Sequence, residues 1–509
     1  MVNSNNIGYF PQMPICDKHF FADLNSDFSL PDYQSEIKRL LSSKVFIVPQ
    51  NEYLGNANAS LIGEVQYHIL YLGADNNLYS AKLTDNYKIE VPFEFNSHCV
   101  DIENVSLFSY FNTESLNVRV LGPRKLNIKS KIKARALANT PCMYSALNGE
   151  IEMKTNIEKN VLEAPCMLAK KCSSDIQSIN EFIPMENSNG TLRIIEANPI
   201  ISVSQCSASQ GKINVNGEAL LKLLYCNDIE SDLPLTYIKK LPFSCTIDCD
   251  ELDSTFECCA NGYVCDSTIE VSEQGINVGI SYTISACGQK NTSVHYLFDA
   301  YSTQHTSEGK NEGLSFLCAN RSFNGSLTQN DTFELSQIKM PKDAKIINAD
   351  AKANVLELCF ENGKSHLKGE CLYQVTYFYD GEYALASANA PFKYEIELHN
   401  AQNEQKLHFG ACANPVFVRS RCDGERLFVD CELNLNLFLQ NESRIEILKE
   451  FSIGEKCAVH SNEIVLCYPE KDATIWQIGK HYKQSIKKIK SQNGLNENDL
   501  VPKTKFLVV

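Results

Sequence analysis

The chain has 509 residues, 43% hydrophobic and 21% charged, with a formal net charge of -15, a length at which one core gives way to three or four domains. That acidity argues against nucleic acid as a general partner, and no stretch approaches the roughly 18 apolar residues of a membrane span. The opening MVNSNNIGYFPQMPICDKHFF lacks the basic and apolar regions of a signal peptide, so secretion by that route is not expected.

The first element is a proline-led segment, LPDYQSEIKRLL, with Tyr33 to Leu41 a brief helix candidate. LIGEVQYHILY (61–71) follows and alternates strictly, with Leu61, Gly63, Val65, Tyr67, Ile69 and Tyr71 on one face. A two-residue period over that length predicts a long β-strand with one face in a core. Its interior glycine predicts a bulge or a close backbone approach. Pro92-Phe93 comes next, then the alternating run KLNIKSKIKARA (125–136). Lys125, Lys129, Lys131, Lys133 and Arg135 share one face of that run, as expected of a protected edge strand or of a strip that docks an acidic partner.

The same order then recurs twice. VNGEALLKLLY (215–225) and LKGECLYQVTY (367–377) repeat the Gly-Glu strand, placing Gly217 154 residues after Gly63 and Gly369 152 residues after Gly217. Pro184 and Pro341 precede these strands as Pro31 precedes the first, and Pro242-Phe243 and Pro391-Phe392 follow them. A threefold internal repeat is the reading, each unit a β-sandwich or barrel-like domain of antiparallel strands. The expected organisation is β domains at 28–145, 181–290 and 338–455, joined by connecting segments at 146–180 and 291–337, with a module at 463–509. Gly63, Gly217 and Gly369 are the expected structural anchors of the three units.

These landmarks resemble the SPOCS domain family, the repeated β-rich domains of SipL-like spore coat assembly proteins in endospore-forming bacteria. The resemblance spans roughly 28–455, and the second and third openings, FIPMEN and KMPKDA, keep only the proline.

Beyond the repeats lies a basic tail on an acidic body: 463–509 carries +3, and the remainder -18. Asp472 or Thr474 is placed to cap a helix through IWQIGKHYKQ, and Ser485 to cap a second that ends near Gly494. The order β-α-α-β resembles a LysM domain, with Thr474, Ile475, Trp476, Ile478, Gly479, Tyr482, Ile489, Asn493, Leu495 and Pro502 at its pattern positions. Trp476, the single tryptophan, is expected to anchor the small core with Ile478 and Tyr482. By resemblance, Asp472, Thr474, Ile475, Asn496, Leu500 and Pro502 would bind the partner. Asp472-Ala473 and Lys503 replace the glycines of the family's glycan-binding loops.

No phosphate loop, HExxH, G-x-S-x-G or kinase signature occurs, and no catalytic residue, cofactor or metal is assigned. Histidines such as His68, His366 and His408 look exposed and structural. The 21 cysteines, without a C-x-x-C, read as mostly free thiols in a reducing compartment, and CTIDCDELDSTFECC matches no common zinc spacing. The resemblance implies a non-enzymatic scaffold in coat assembly, in the mother-cell cytoplasm at the forespore surface. It would bind the coat's morphogenetic ATPase through the C-terminal module; the alternative is a protein that binds peptidoglycan or cortex glycan there.

Overall fold

The computed structural model describes residues 12–95, 105–141, 156–185, 192–227, 233–250, 252–361, 364–396, 406–457, 465–469, 473–495 and 507–508. Apart from the tail, the described elements are antiparallel strands. The first unit contains β1 (Gln12–Ser29), β2 (Ile37–Leu54), β3 (Asn58–Gly73), β4 (Leu78–Pro92), β5 (Ser106–Gly122) and β6 (Lys125–Pro141), arranged as sheets β2-β3-β4 and β1-β6-β5. Their inner faces enclose a core that includes Leu61, Val65, Tyr67, Tyr87, Ile128 and Ile132. Burial of such alternating faces, at roughly 25 cal/mol per Å2 of apolar surface, is what holds the two sheets together.

The second unit follows the same plan with β7 (Ile157–Ser173), β8 (Gln177–Pro184), β9 (Arg193–Ser209), β10 (Lys212–Cys226), β11 (Leu235–Asp248), β12 (Glu257–Ser272) and β13 (Gly275–Ser302). Its sheets are β9-β10-β11 and β12-β13-β7, with β8 also paired to β13, so the first strand is divided in two. The third has β14 (His305–Glu334), β15 (Lys345–Glu361), β16 (Lys364–Tyr379), β17 (Glu382–Ile396), β18 (Lys406–Asp423) and β19 (Arg426–Lys456), in sheets β15-β16-β17 and β14-β19-β18. Pro31, Pro184 and Pro341 each lie where the chain leaves the first sheet for the second. Proline, which has no N–H to donate, suits such a strand end.

The repeated glycines have one geometry. Each sits on the core face of the central strand, paired with Pro49, Val203 or Val355 beside a bulge on the neighbouring strand. A Cβ on Gly63 would lie 2.4 Å from the carbonyl oxygen of Val48, on Gly217 2.2 Å from that of Ser202, and on Gly369 2.3 Å from that of Asn354. The bulge and the close approach are thus one feature. An aromatic ring from the opposite strand covers each glycine: Phe243, Phe392 and, in the first unit, Tyr87. Phe93, aligned with the other two phenylalanines by its proline, does not hold that place.

Several expectations are corrected. Residues 37–41 are strand, not helix: β2 has bulges between Ile37 and Arg39 and between Leu40 and Ser42. Each inserts a residue into the period-2 pattern, so the apolar residues fall at helical spacing. Strand β6 is central between β1 and β5, not an edge. Lys131 pairs with Glu114, and Arg135 with Asp17.

The segments expected as connectors are themselves strands. Second halves of β13 and β19 run on past the sandwiches and pair with β7 and with the first half of β14. These four strands form an arm, packed through Ala164, Cys166, Tyr296, Leu314, Phe316 and Ile447, with Leu297, Ala300 and Leu448 near its tip. Cys249 is disulfide-bonded to Cys172, and no second disulfide is formed among the described cysteines.

Candidate functional site

Two places concentrate polar chemistry: the meeting of the three units, and the contact of the tail with the arm. At the first, Leu41, Ile195 and Ile347 occupy matching bulges at the start of β2, β9 and β15, and all three enter one shared apolar cluster with Leu70, Leu72 and Leu224. The units are therefore grouped around a common axis. Farther along these strands the outward face turns polar. Lys44 Nζ lies 3.0 Å from Glu196 and 2.9 Å from Asp350, and Lys222 Nζ 3.0 Å from Asp350, with side chains no more than 16% exposed. Burial disfavours charge on Asp350, but the ammoniums of Lys222 and Lys44 outweigh it and hold its carboxyl well below the usual carboxylate range. Burial likewise opposes charge on Lys44, and Asp350 and Glu196 override it to push its pKa up. Three carboxylate–ammonium contacts, each joining different units, fix how the units meet.

His68, His366 and His408 are buried, not exposed, at 8%, 8% and 2%. His68 and His408 lie on outer strand faces that the grouping of the units covers. His68 Nδ1 lies 2.7 Å from Asn198 Oδ1 across the axis. His408 is held between Asp17 of the first unit at 2.7 Å and Glu442 at 2.9 Å, and Arg135 also binds Asp17. Desolvation works against its charge, yet hydrogen bonds to the two carboxylates leave its pKa raised.

The tail folds as expected at the level of its elements. β20 (Leu466–Cys467) pairs with β21 (Leu507–Val508), and between them lie α1 (Ile475–Tyr482) and α2 (Ile486–Asn493). Thr474 caps α1: its Oγ1 accepts from Gln477 N at 3.2 Å, and Gln477 Oε1 accepts from Thr474 N at 2.8 Å, a capping box. Ser485 precedes α2 without a side-chain cap bond, and Gly494 ends it in the left-handed region, φ 65°. Asn493 binds both the N–H and the C=O of Val508, fixing β21 to α2.

Trp476 is not part of the tail's core. That core is Cys467, Ile475, Ile478 and Ile489, with Tyr482, Ile486 and Leu495 against it. Trp476 faces the arm instead. Its Nε1–H donates to Asp299 Oδ2 at 2.8 Å, and its ring packs edge-on to Tyr301 at 4.9 Å. Lys480 Nζ reaches both oxygens of Asp299 at 2.7 Å, and Tyr301 Oη donates to Gln484 O at 2.6 Å. A Cβ on Gly479 would sit 2.5 Å from Tyr301 Oη, so a glycine lets the helix lie this close. The single indole thus anchors the module to the arm.

Of the expected partner-binding residues, Thr474 is exposed and engaged as a cap. Ile475 is corrected: at 8% exposure it belongs to the small core and presents no contact surface. Asp472, Asn496, Leu500 and Pro502 lie outside the described residues. Sequence reasoning missed Asp299 and Tyr301, which fall in a segment read as a connector, and it missed the axial charges, whose partners are remote in the chain.

Residues 192–272 match the family model described as SipL, SPOCS domain. The matched stretch runs from β9 through β12 of the second unit and includes Gly217 and Phe243. This is the spore coat family that the repeated motifs resemble. No curated protein and no solved structure matches the chain.

Proposed function

We propose that the chain is a non-enzymatic scaffold of endospore coat or envelope assembly, working in the mother cell at the forespore surface. The observation that carries this is the family match on the second unit, together with its glycine, bulge and covering ring at the same place in the other two units. Interlocked β units joined by buried ion pairs suit a rigid spacer, with the basic module presented at the arm tip. The module would bind the acidic surface of a coat morphogenetic protein, the ATPase of the basement layer by resemblance. Within this reading Trp476 sets the module's orientation, because its ring and N–H are committed to Tyr301 and Asp299. That commitment also favours protein over glycan, since the indole is not free to stack on a sugar.

Fluorescent localisation in sporulating cells tests the proposal, comparing the full chain with one that lacks 463–509. Forespore localisation that needs the module supports it. Diffuse fluorescence of both chains throughout sporulation overturns it. Competition for partner binding by soluble chitin oligomers or peptidoglycan fragments would replace the protein partner with glycan.

A further inference from the structure

Between the axial ion pairs and the base of the arm, the three units enclose a cavity of about 610 Å3, a volume within the range of small-molecule sites. Strands β2, β9 and β15 line it, with β5, β12 and β18 from the facing sheets. Two residues past Lys44, Asn198 and Asp350 come the matching positions Phe46, Ile200 and Lys352, all of which line it. Two units thus place an apolar side chain where the third places a lysine.

That lysine is poorly compensated. Lys352 Nζ donates to the carbonyl oxygen of Thr113 at 2.7 Å, and among the described residues no carboxylate lies within ion-pair distance of it. The other lining ammoniums are satisfied: Lys44 and Lys222 by Asp350, and Lys82 by Asp266 at 2.8 Å. Of the lining carboxylates, Asp350 and Glu114 are paired, and Glu370 is exposed to solvent. Lys352 is half-buried, and this partial desolvation lowers its pKa. Retaining such a charge is costly unless something pairs with it. Phe46, Ile200 and Leu372 supply apolar wall.

We infer that this axial cavity binds a small organic oxyanion, a carboxylate or phosphate, with the anionic group on Lys352.

Isothermal titration calorimetry on the full chain tests this with 4-hydroxybenzoate and inorganic phosphate as probes and 4-hydroxybenzamide as the neutral control. Saturable binding of either anion is expected, weakened about tenfold or more by Lys352→Met and largely kept by Lys352→Arg. Lys352→Met should melt no lower than the parent, since it removes a partly desolvated charge, so lost binding would not reflect unfolding. Binding of phosphate alone assigns the site to phosphates, and of 4-hydroxybenzoate alone to carboxylates. The inference is overturned if neither anion binds, if the benzamide binds as well as the benzoate, or if Lys352→Met binds the anions as the parent does.

Discussion

Substituting alanine at Gly217 is the sharpest test of the repeat. The new Cβ would lie 2.2 Å from Ser202 O and 2.7 Å from Phe243 Cζ. An ordinary contact needs about 1 Å more room. The Phe243 ring can swing aside, but Ser202 O cannot easily retreat, because the ladder on both sides of the bulge holds β9 against β10. Overpacking of this kind costs about 2 kcal/mol, which for a unit of this size lowers Tm by about 4–8 °C. Differential scanning calorimetry measures the shift, with Gly63→Ala and Gly369→Ala as parallel cases. Phe243→Leu in the Gly217→Ala background should restore little, since the carbonyl stays where it was. A Tm unchanged by Gly217→Ala would refute the close-approach argument, and full rescue by Phe243→Leu would move the constraint from backbone to ring.

Asp350→Asn leaves Lys44 and Lys222 facing one another with only Glu196 between the units, and should cost about 3–5 kcal/mol in urea denaturation; a loss under about 1 kcal/mol would mean that water already solvates these charges. His408 has a raised pKa in the folded chain, so its contribution is fully present below its ordinary value near 6.5 and is lost as pH rises through the folded pKa. Asp17 is shifted the other way: burial raises its pKa, but hydrogen bonding to His408 and the charge of Arg135 outweigh this and lower it, so its contribution is lost only as pH falls through that lowered value. Thermal stability of the parent relative to His408→Gln should therefore shrink from mildly acidic to alkaline pH, and a pH-independent difference would contradict the assignment. Trp476→Ala should release the module from the arm while leaving its core folded, seen as faster limited proteolysis between 457 and 465 with helical circular dichroism retained; collapse of the helices would return the indole to the module's core.

Much of this architecture is local, and the amino-acid order determined it. Period-2 alternation in 61–71, 215–225 and 367–377 specifies the central strands, and glycine at the third position of each specifies where a neighbouring backbone comes close. The capping residue Thr474 and the terminal Gly494 delimit the helices of the tail, because the groups they satisfy are within four residues. Bulges defeat that kind of reading. An inserted residue made Ile37, Leu40 and Leu41 look helical, and the same irregularity delivers Leu41, Ile195 and Ile347 to the axis. Only the tertiary structure decided what the outward faces do. Lys44 meets Glu196 across 152 positions of chain, and Trp476 meets Asp299 across 177. No local pattern encodes such pairs: a lysine or tryptophan bound for another unit has the same neighbours in sequence as one bound for solvent, and the docking of separately formed units makes the difference.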